Sequence, residues 1–168
     1  MKVPTESIRE LRSRTSAGML ECNKALLQAG GDVEKAVEVL RRRGLSVAQK
    51  KKEHVTTEGI IEAYVHHTGK IGTLVELHCE SDFVARTDEF RQLARDIAMQ
   101  IAATSPQFIT TEEIPEKEEF DPQTVCLVNQ PFIREPTRSV QEIIDQTIAK
   151  VGENIKVSRF TRFEIGHY

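Results

Sequence analysis

The apolar residues of this chain change period abruptly near residue 57. Before it they recur three or four apart: Val33, Ala36, Val37 and Leu40 follow the i, i+3, i+4, i+7 rule of a helix buried along one stripe. After it they alternate. "GIIEAYVHH" at 59–67 and "IGTLVELHC" at 71–79, joined by "TGK", read as an antiparallel hairpin, with Ile71, Thr73, Val75, Leu77 and Cys79 on one face and Gly72, Leu74, Glu76 and His78 on the other. A helical head must therefore be joined to a sheet. From Thr87 or Asp88 the helical spacing returns in Phe90, Leu93, Ala94, Ile97 and Ile101, and Pro106 ends that run. The expected fold class is α+β, a three-helix head plus a core with a three-stranded antiparallel sheet and helices packed on one face.

The head divides into helices over 5–14, over 17–29, and from an Asp32 cap to about Arg43, with Gly44 as the expected stop. In the second helix Met19, Cys22, Ala25, Leu26 and Ala29 make a core stripe, while Leu20 and Leu27 point roughly opposite to Cys22. Leu20 and Leu27 either await a partner or are covered by the third helix or the body. Residues 107–130 are rich in Glu and Pro and read as a solvated acidic loop with one helical turn, followed by a short edge strand in "VCLVNQPF" that stops at Pro131. Ser139 and Glu142 have capping-box spacing ahead of a helix carrying Val140, Ile143, Ile144, Ile148 and Val151, stopped at Gly152. In the closing "NIKVSRFTRFEIG" the apolar phase slips between Val157 and Phe160, as in a bulge or a strand buried on both faces. The expected division is a head at 1–45, a basic linker at 46–57 and a core at 58–168.

Charge is unevenly spread. Residues 1–52 hold 12 Lys/Arg against 6 Asp/Glu, and the remainder 11 against 20. The runs Arg41-Arg42-Arg43 and Lys50-Lys51-Lys52 could face nucleic acid, or could complement a helix end and form a solvated linker. No aromatic is interleaved for base stacking and the chain has no Trp, which favours the second reading. The three cysteines, Cys22, Cys79 and Cys126, are too far apart and too few for a disulfide framework, which fits a reducing compartment. No apolar run reaches membrane-spanning length and no secretory signal opens the sequence, so a cytoplasmic location or the interior of an organelle is expected. No phosphate-binding loop, nucleophile elbow or spaced metal-ligand set is present. His66, His67, His78 and Cys79 lie on adjoining strands without the ligand separations of a zinc site, and His66 and His67 are expected on opposite faces. Neither catalysis, nor a cofactor, nor a metal is expected.

One stretch resists explanation by folding. In "CESDFVARTDEF", residues 79–90, Asp82 and Phe83 stand side by side after the alternation ends and before the next helix begins. Either Phe83 folds back into the core and Asp82 caps the following helix, or the pair is a contact device, a wedge entering a partner's pocket beside a carboxylate. The pattern alone favours the first.

The stretches "LRSRTSAGMLECNKAL" at 11–26, "GDVEKAVEVLRRRG" at 31–44, "VELHCESDFVART" at 75–87, "QPF" at 130–132 and "VGENIKVSRFTRFEIG" at 151–166 resemble, in order and from end to end, the elongation factor Ts family. The resemblance implies a head similar to ubiquitin-associated domains, docking through Arg12, Met19 and Leu20 on the GTPase domain of elongation factor Tu. It implies that Asp82, Phe83 and Val84 form the wedge that enters between two helices of that domain and disturbs the Mg²⁺ and phosphate side of its nucleotide site. The chain would then be a guanine nucleotide exchange factor in translation elongation, needing no direct nucleic-acid contact. Ser16 stands where the family usually has Gly, and Ser81 where it usually has Thr. A helical stretch that short members carry between the acidic loop and "QPF" is nearly absent here. Short members resemble half of a pseudo-symmetric core and complete it by pairing, so a homodimer with sheet faces together is expected. The competing readings are a nucleic-acid- or ribosome-binding module using the basic head, and a ubiquitin-like-peptide binder using the head alone.

Overall fold

The alternation of residues 59–79 becomes an antiparallel hairpin in the computed structural model, which describes residues 3–166. Strand β1 (Glu58–Val65) pairs with β2 (Ile71–Cys79) in a continuous register from Glu58 opposite Cys79 to Val65 opposite Gly72. The last strand of the chain, β5 (Lys156–Glu164), pairs antiparallel with the other edge of β2, giving the order β1-β2-β5. Glu76 faces Arg159 and Leu77 faces Val157, so Ser158 is the extra residue of a bulge. The phase slip in the sequence marks that bulge.

Because strand side chains alternate, the register sorts the sheet into two faces. Thr73, Val75, Leu77 and Cys79 are buried, joined by the partly buried Ile60 and Tyr64 of β1. Over them lies α5 (Asp88–Thr104), capped by Thr87 Oγ1 accepting from Phe90 N and contributing Phe90, Leu93, Ala94, Ile97 and Ile101 to the core. The Thr73 hydroxyl donates to Ala98 O at 2.9 Å, so the buried polar side chain that β2 puts on this face is satisfied. Helix α7 (Val140–Val151) completes the layer through Val140, Ile144 and Ile148; its start has the full Ser139–Glu142 capping box and its end a left-handed Gly152.

The head consists of α1 (Thr5–Thr15), α2 (Met19–Gln28) and α3 (Val33–Lys51) around Leu11, Cys22, Ala25, Leu26 and Ala36. Asp32 caps α3 through Lys35 N as expected, but Gly44 does not stop it. The helix continues to Lys51, through the first half of the segment read as linker, because its far half packs on α7. A Cβ placed on Gly44 would lie 3.7 Å from Ala149 Cβ, and Ala48 is buried in the core of the sheet layer. Arg41 Nη1 meets Glu142 Oε1 at 2.8 Å across this contact, and Gln146 donates to Thr15 O at 2.9 Å. A side chain at 44 would meet α7 in ordinary van der Waals contact, so the helix runs on because its far half is covered by α7 and the core.

Residues 105–139 also depart from expectation. "VCLVNQPF" is not an edge strand. Asp121 accepts from Gln123 N with Pro122 at the first helical position, which starts the short α6 (Pro122–Val125), and a 3₁₀ turn follows at Leu127–Asn129. Of this stretch only Pro131–Phe132 forms a strand; as β3 it pairs with β4 (Glu135–Ser139), a hairpin the alternation does not announce. Buried Gln100 holds this segment, donating to Gln130 Oε1 and Pro131 O and accepting from Ile133 N at 2.9 Å.

Two backbone positions give opposite predictions. Ser16, which ends α1, sits at φ 55, where a Cβ costs about 1–2 kcal/mol, so Ser16→Gly should raise stability by about 1 kcal/mol. A Cβ on Gly59 would fall against the Leu77 carbonyl oxygen, so Gly59→Ala should cost about 1–3 kcal/mol. Urea denaturation midpoints moving up and down respectively would bear this out.

Glu142 supplies a pH dependence. The Ser139 backbone N–H, and then the Arg41 guanidinium, hold its carboxyl below the usual carboxylate range. A depressed folded pKa contributes stability that is intact above the unfolded value and lost as pH falls through the folded one. Glu142→Gln should therefore be less stable than the parent at neutral pH, and the difference should close as the pH drops through the carboxylate range, as measured by denaturant titration at pH 7 and pH 3.

Candidate functional site

The turn after β2 is built to hold one aromatic ring in solvent. Ser81, in extended conformation, caps a single helical turn, α4 (Asp82–Ala85), by accepting from Val84 N with its hydroxyl. At about 100° per residue, turning Val84 and Ala85 into the core leaves Asp82, Phe83 and Arg86 facing outward. Phe83 is 80% exposed. It does not fold back, and Asp82 does not cap: its carboxylate takes a 2.8 Å hydrogen bond from Arg86 Nη2 one turn on. Leaving a Phe in water forgoes about 1.5–3 kcal/mol of burial, a deficit that folding does not explain. Val84 is buried beneath the ring as the foot of the turn.

The turn is held from below by residues that periodicity does not reveal. Glu153 Oε2 accepts from the backbone N–H groups of Glu80 and Ser81 at 3.1 and 3.0 Å, and its Oε1 accepts from Ser81 Oγ at 2.6 Å. The buried Asn154 donates its backbone N–H to Glu80 Oε1 at 2.7 Å and its amide to Lys52 O and His54 O. That backbone bond, and then His54 Nδ1 at 3.0 Å, hold the Glu80 carboxyl below its usual range. The loop between α7 and β5 thus ties the turn to the end of α3. In sequence, the only signal for these residues is two polar side chains directly behind the helix stop at Gly152.

On the head, α2 presents Leu20, 65% exposed, with Met19 and Leu27. Met19, expected in the core stripe, lies in the first turn of α2 and is half exposed. Arg12 is exposed on α1, near enough for its charge to act on the Cys22 thiol of α2.

The basic runs are engaged within the chain. Arg41 and Arg42 share Glu38, whose carboxyl they hold down at about 2; Arg41 also reaches Glu142, and Arg43 binds Gln28 Oε1 at 2.8 Å and Glu21. Arg41–Arg43 lie in mid-helix and do not complement a helix end; Lys50 and Lys51 fill the last turn, where the dipole favours cations. The outer sheet face, opposite the core, carries exposed Ile61, Val65, Leu74 and Phe163, at neighbouring register positions across all three strands.

His66 and His67 lie against each other, with ring centroids 4.2 Å apart and planes tilted by 55°, rather than pointing to opposite faces, because both lie beyond β1. His78 turns to Glu76. Among the described residues no cluster of His, Cys, Asp and Glu is placed to hold a metal ion, and no helix is long and apolar enough to cross a membrane. Cys22, Cys79 and Cys126 are free and buried; burial pushes the Cys79 thiol up to about 11, far from a nucleophile at neutral pH.

Comparison with known proteins agrees with this arrangement. A family described as Elongation factor TS matches residues 7–121. The Elongation factor Ts of Carboxydothermus hydrogenoformans is 45% identical over 194 aligned positions, covering 98% of this chain and 89% of that one. That of Thermodesulfovibrio yellowstonii is 46% identical over 195 positions, covering 99% and 98%, and that of Thermotoga petrophila 46% over 194, covering 99% and 98%. Alignments longer than the 168 residues present mean that these relatives carry residues this chain lacks. With identity at this level running from the head through the Asp82–Phe83 turn to the last strand, the chain belongs to the elongation factor Ts family.

Proposed function

We propose that this protein promotes release of GDP from the translational GTPase elongation factor Tu, acting by protein contact and not as an enzyme. The observation that carries the proposal is Phe83 held in solvent on a turn whose next two residues, Val84 and Ala85, are buried. The head docks on the GTPase domain through Arg12, Met19 and Leu20, and Asp82 and Phe83, on their Val84 foot, enter between two of its helices. Mg²⁺ bridges the nucleotide phosphates to protein oxygens in near-ideal octahedral geometry, so a small displacement of the surrounding loops weakens GDP strongly. Stronger binding of the factor to the nucleotide-free GTPase requires, by linkage, that incoming nucleotide weaken the factor in turn and expel it. No covalent step and no cofactor is needed. The site of action is the cytoplasm, or the interior of an organelle that translates its own messages.

The alternative, a nucleic-acid-binding head, is disfavoured by the arginines of the central run, each committed to an acidic or amide side chain of the protein itself.

In the same reading two copies pair through their outer sheet faces, covering Ile61, Val65, Leu74 and Phe163, an apolar face that a lone chain leaves in water. Sedimentation at micromolar concentration should give a dimer for the intact chain and a monomer for Leu74→Asp/Phe163→Asp; a monomeric intact chain would refute the pairing.

The exchange reading is tested by following release of a fluorescent GDP from elongation factor Tu at saturating competitor GDP. The intact protein should accelerate release, and Asp82→Ala/Phe83→Ala should lose at least about tenfold of that acceleration while still binding the GTPase. Unchanged acceleration in the variant would remove the wedge from the mechanism, and none with the intact protein would remove the function.

A further inference from the structure

Glu153 is remote in sequence from the wedge, yet three of its hydrogen bonds end on the two residues that launch α4. We infer that Glu153 is a positioning residue for exchange, setting the direction in which Phe83 leaves the fold; the inference rests on the wedge reading proposed above.

Chain connectivity alone leaves residues 80–82 free to pivot, because β2 ends at Cys79 and α4 is a single turn, too short to be stable by itself. Two N–H groups at the pivot have no ladder partner. One carboxylate oxygen takes both, and as a charged acceptor it makes stronger bonds than an amide or hydroxyl would. The other oxygen accepts the Ser81 hydroxyl proton at 2.6 Å. That bond fixes a rotor. With its proton committed to Glu153, Ser81 Oγ turns a lone pair to Val84 N and caps α4. The chain of bonds therefore runs from Glu153 through Ser81 to the backbone of the turn that carries Phe83.

Glu153 is itself held at both sides. Gly152 ends α7 in the left-handed conformation, and the next residue, Asn154, is buried and bonded to Glu80 and to the end of α3. The carboxylate thus belongs to the rigid body of helix and sheet, and the turn hangs from it. The function of the arrangement is preorganisation: a wedge that enters already aimed spends its burial on displacing the GTPase helices instead of on ordering its own turn.

The inference separates two kinetic quantities. Glu153 is not placed to touch the partner, so its loss should leave the factor concentration for half-maximal exchange within about twofold while lowering the maximal rate of GDP release about tenfold. Full-length Glu153→Gln, which keeps the size and removes the charge, should show that split at a temperature well below its melting midpoint. Combined with Phe83→Ala it should slow exchange no further, since there is no ring left to aim; a purely structural role would give effects that multiply. Should Glu153→Gln fail to fold, Ser81→Ala, which removes the 2.6 Å bond and the cap but spares both backbone bonds, should give the same split, smaller at about threefold. A full maximal rate in the foldable variant, or multiplying effects in the combination, overturns the role of Glu153. If Phe83→Ala alone exchanges at the intact rate, the wedge reading fails first, and the positioning role with it.

Discussion

The buried inner face of β2 is the constraint on which the rest of the structure depends. Val75, Leu77 and Cys79 are sealed under α5, so the strand can neither slip in register nor rotate without moving apolar groups into water. Period-two geometry then fixes everything else about the strand. Leu74 must face outward beside Ile61 and Phe163, and Cys79 must end the strand at a set place and angle. A one-residue shift would bury Glu76 and His78, which instead pair with each other and with Arg159 on the outer side. The turn bearing Asp82 and Phe83 inherits its position from that registry.

Helix α3 extends the same rigidity to the head. Had it ended at Gly44, head and sheet would be joined by a charged linker and would sample many relative orientations. Continuing to Lys51, it places Ala48 in the body and brings the Lys52 and His54 carbonyls just past its end to Asn154, which also binds Glu80 beside the Asp82–Phe83 turn. The apolar end of the head and the exposed ring are thereby held on one framework. Ion pairs add to the join, though Arg41–Glu142 and its neighbours are partly solvated and each is worth at most about 1 kcal/mol. Packing along Gly44 and Ala48 does most of the work.

The sequence was most legible where one rule acted alone. Alternation located β2 to the residue, a phase slip located the bulge at Ser158, and capping-box spacing located the start of α7. It misled where two rules met on the same residues. Gly44 obeys the helix-stop rule, and only the packing of Ala48 and the far half of α3 against α7 and the core, distant in the chain, overrides it. "VCLVNQPF" has the composition of a strand, but an Asp–Pro start and a buried glutamine network draw it into turns. For Phe83 the local pattern pointed inward, and the burial of its two following neighbours turned it out. Glu153 and Asn154 were illegible for a further reason: their bonds cross some 70 to 100 residues of chain, and no local period encodes them.

This division of labour has a thermodynamic consequence for exchange by contact. Only contacts that differ between the GDP-bound and nucleotide-free partner can weaken the nucleotide; those made equally to both shift nothing, however strong they are. In the proposed reading, the head surface of Leu20 and Met19 belongs to the second kind and would supply affinity, and the ring of Phe83 belongs to the first. Burying it is worth about 1.5–3 kcal/mol, or roughly a ten- to hundredfold change in an equilibrium, and that gain counts toward release only if the ring finds its pocket more open in the nucleotide-free form. A turn free to pivot would let Phe83 settle on either form and erase the difference. On the proposed mechanism, rigidity at residues 79–86 is therefore the property that would convert an exposed aromatic into a means of expelling a nucleotide.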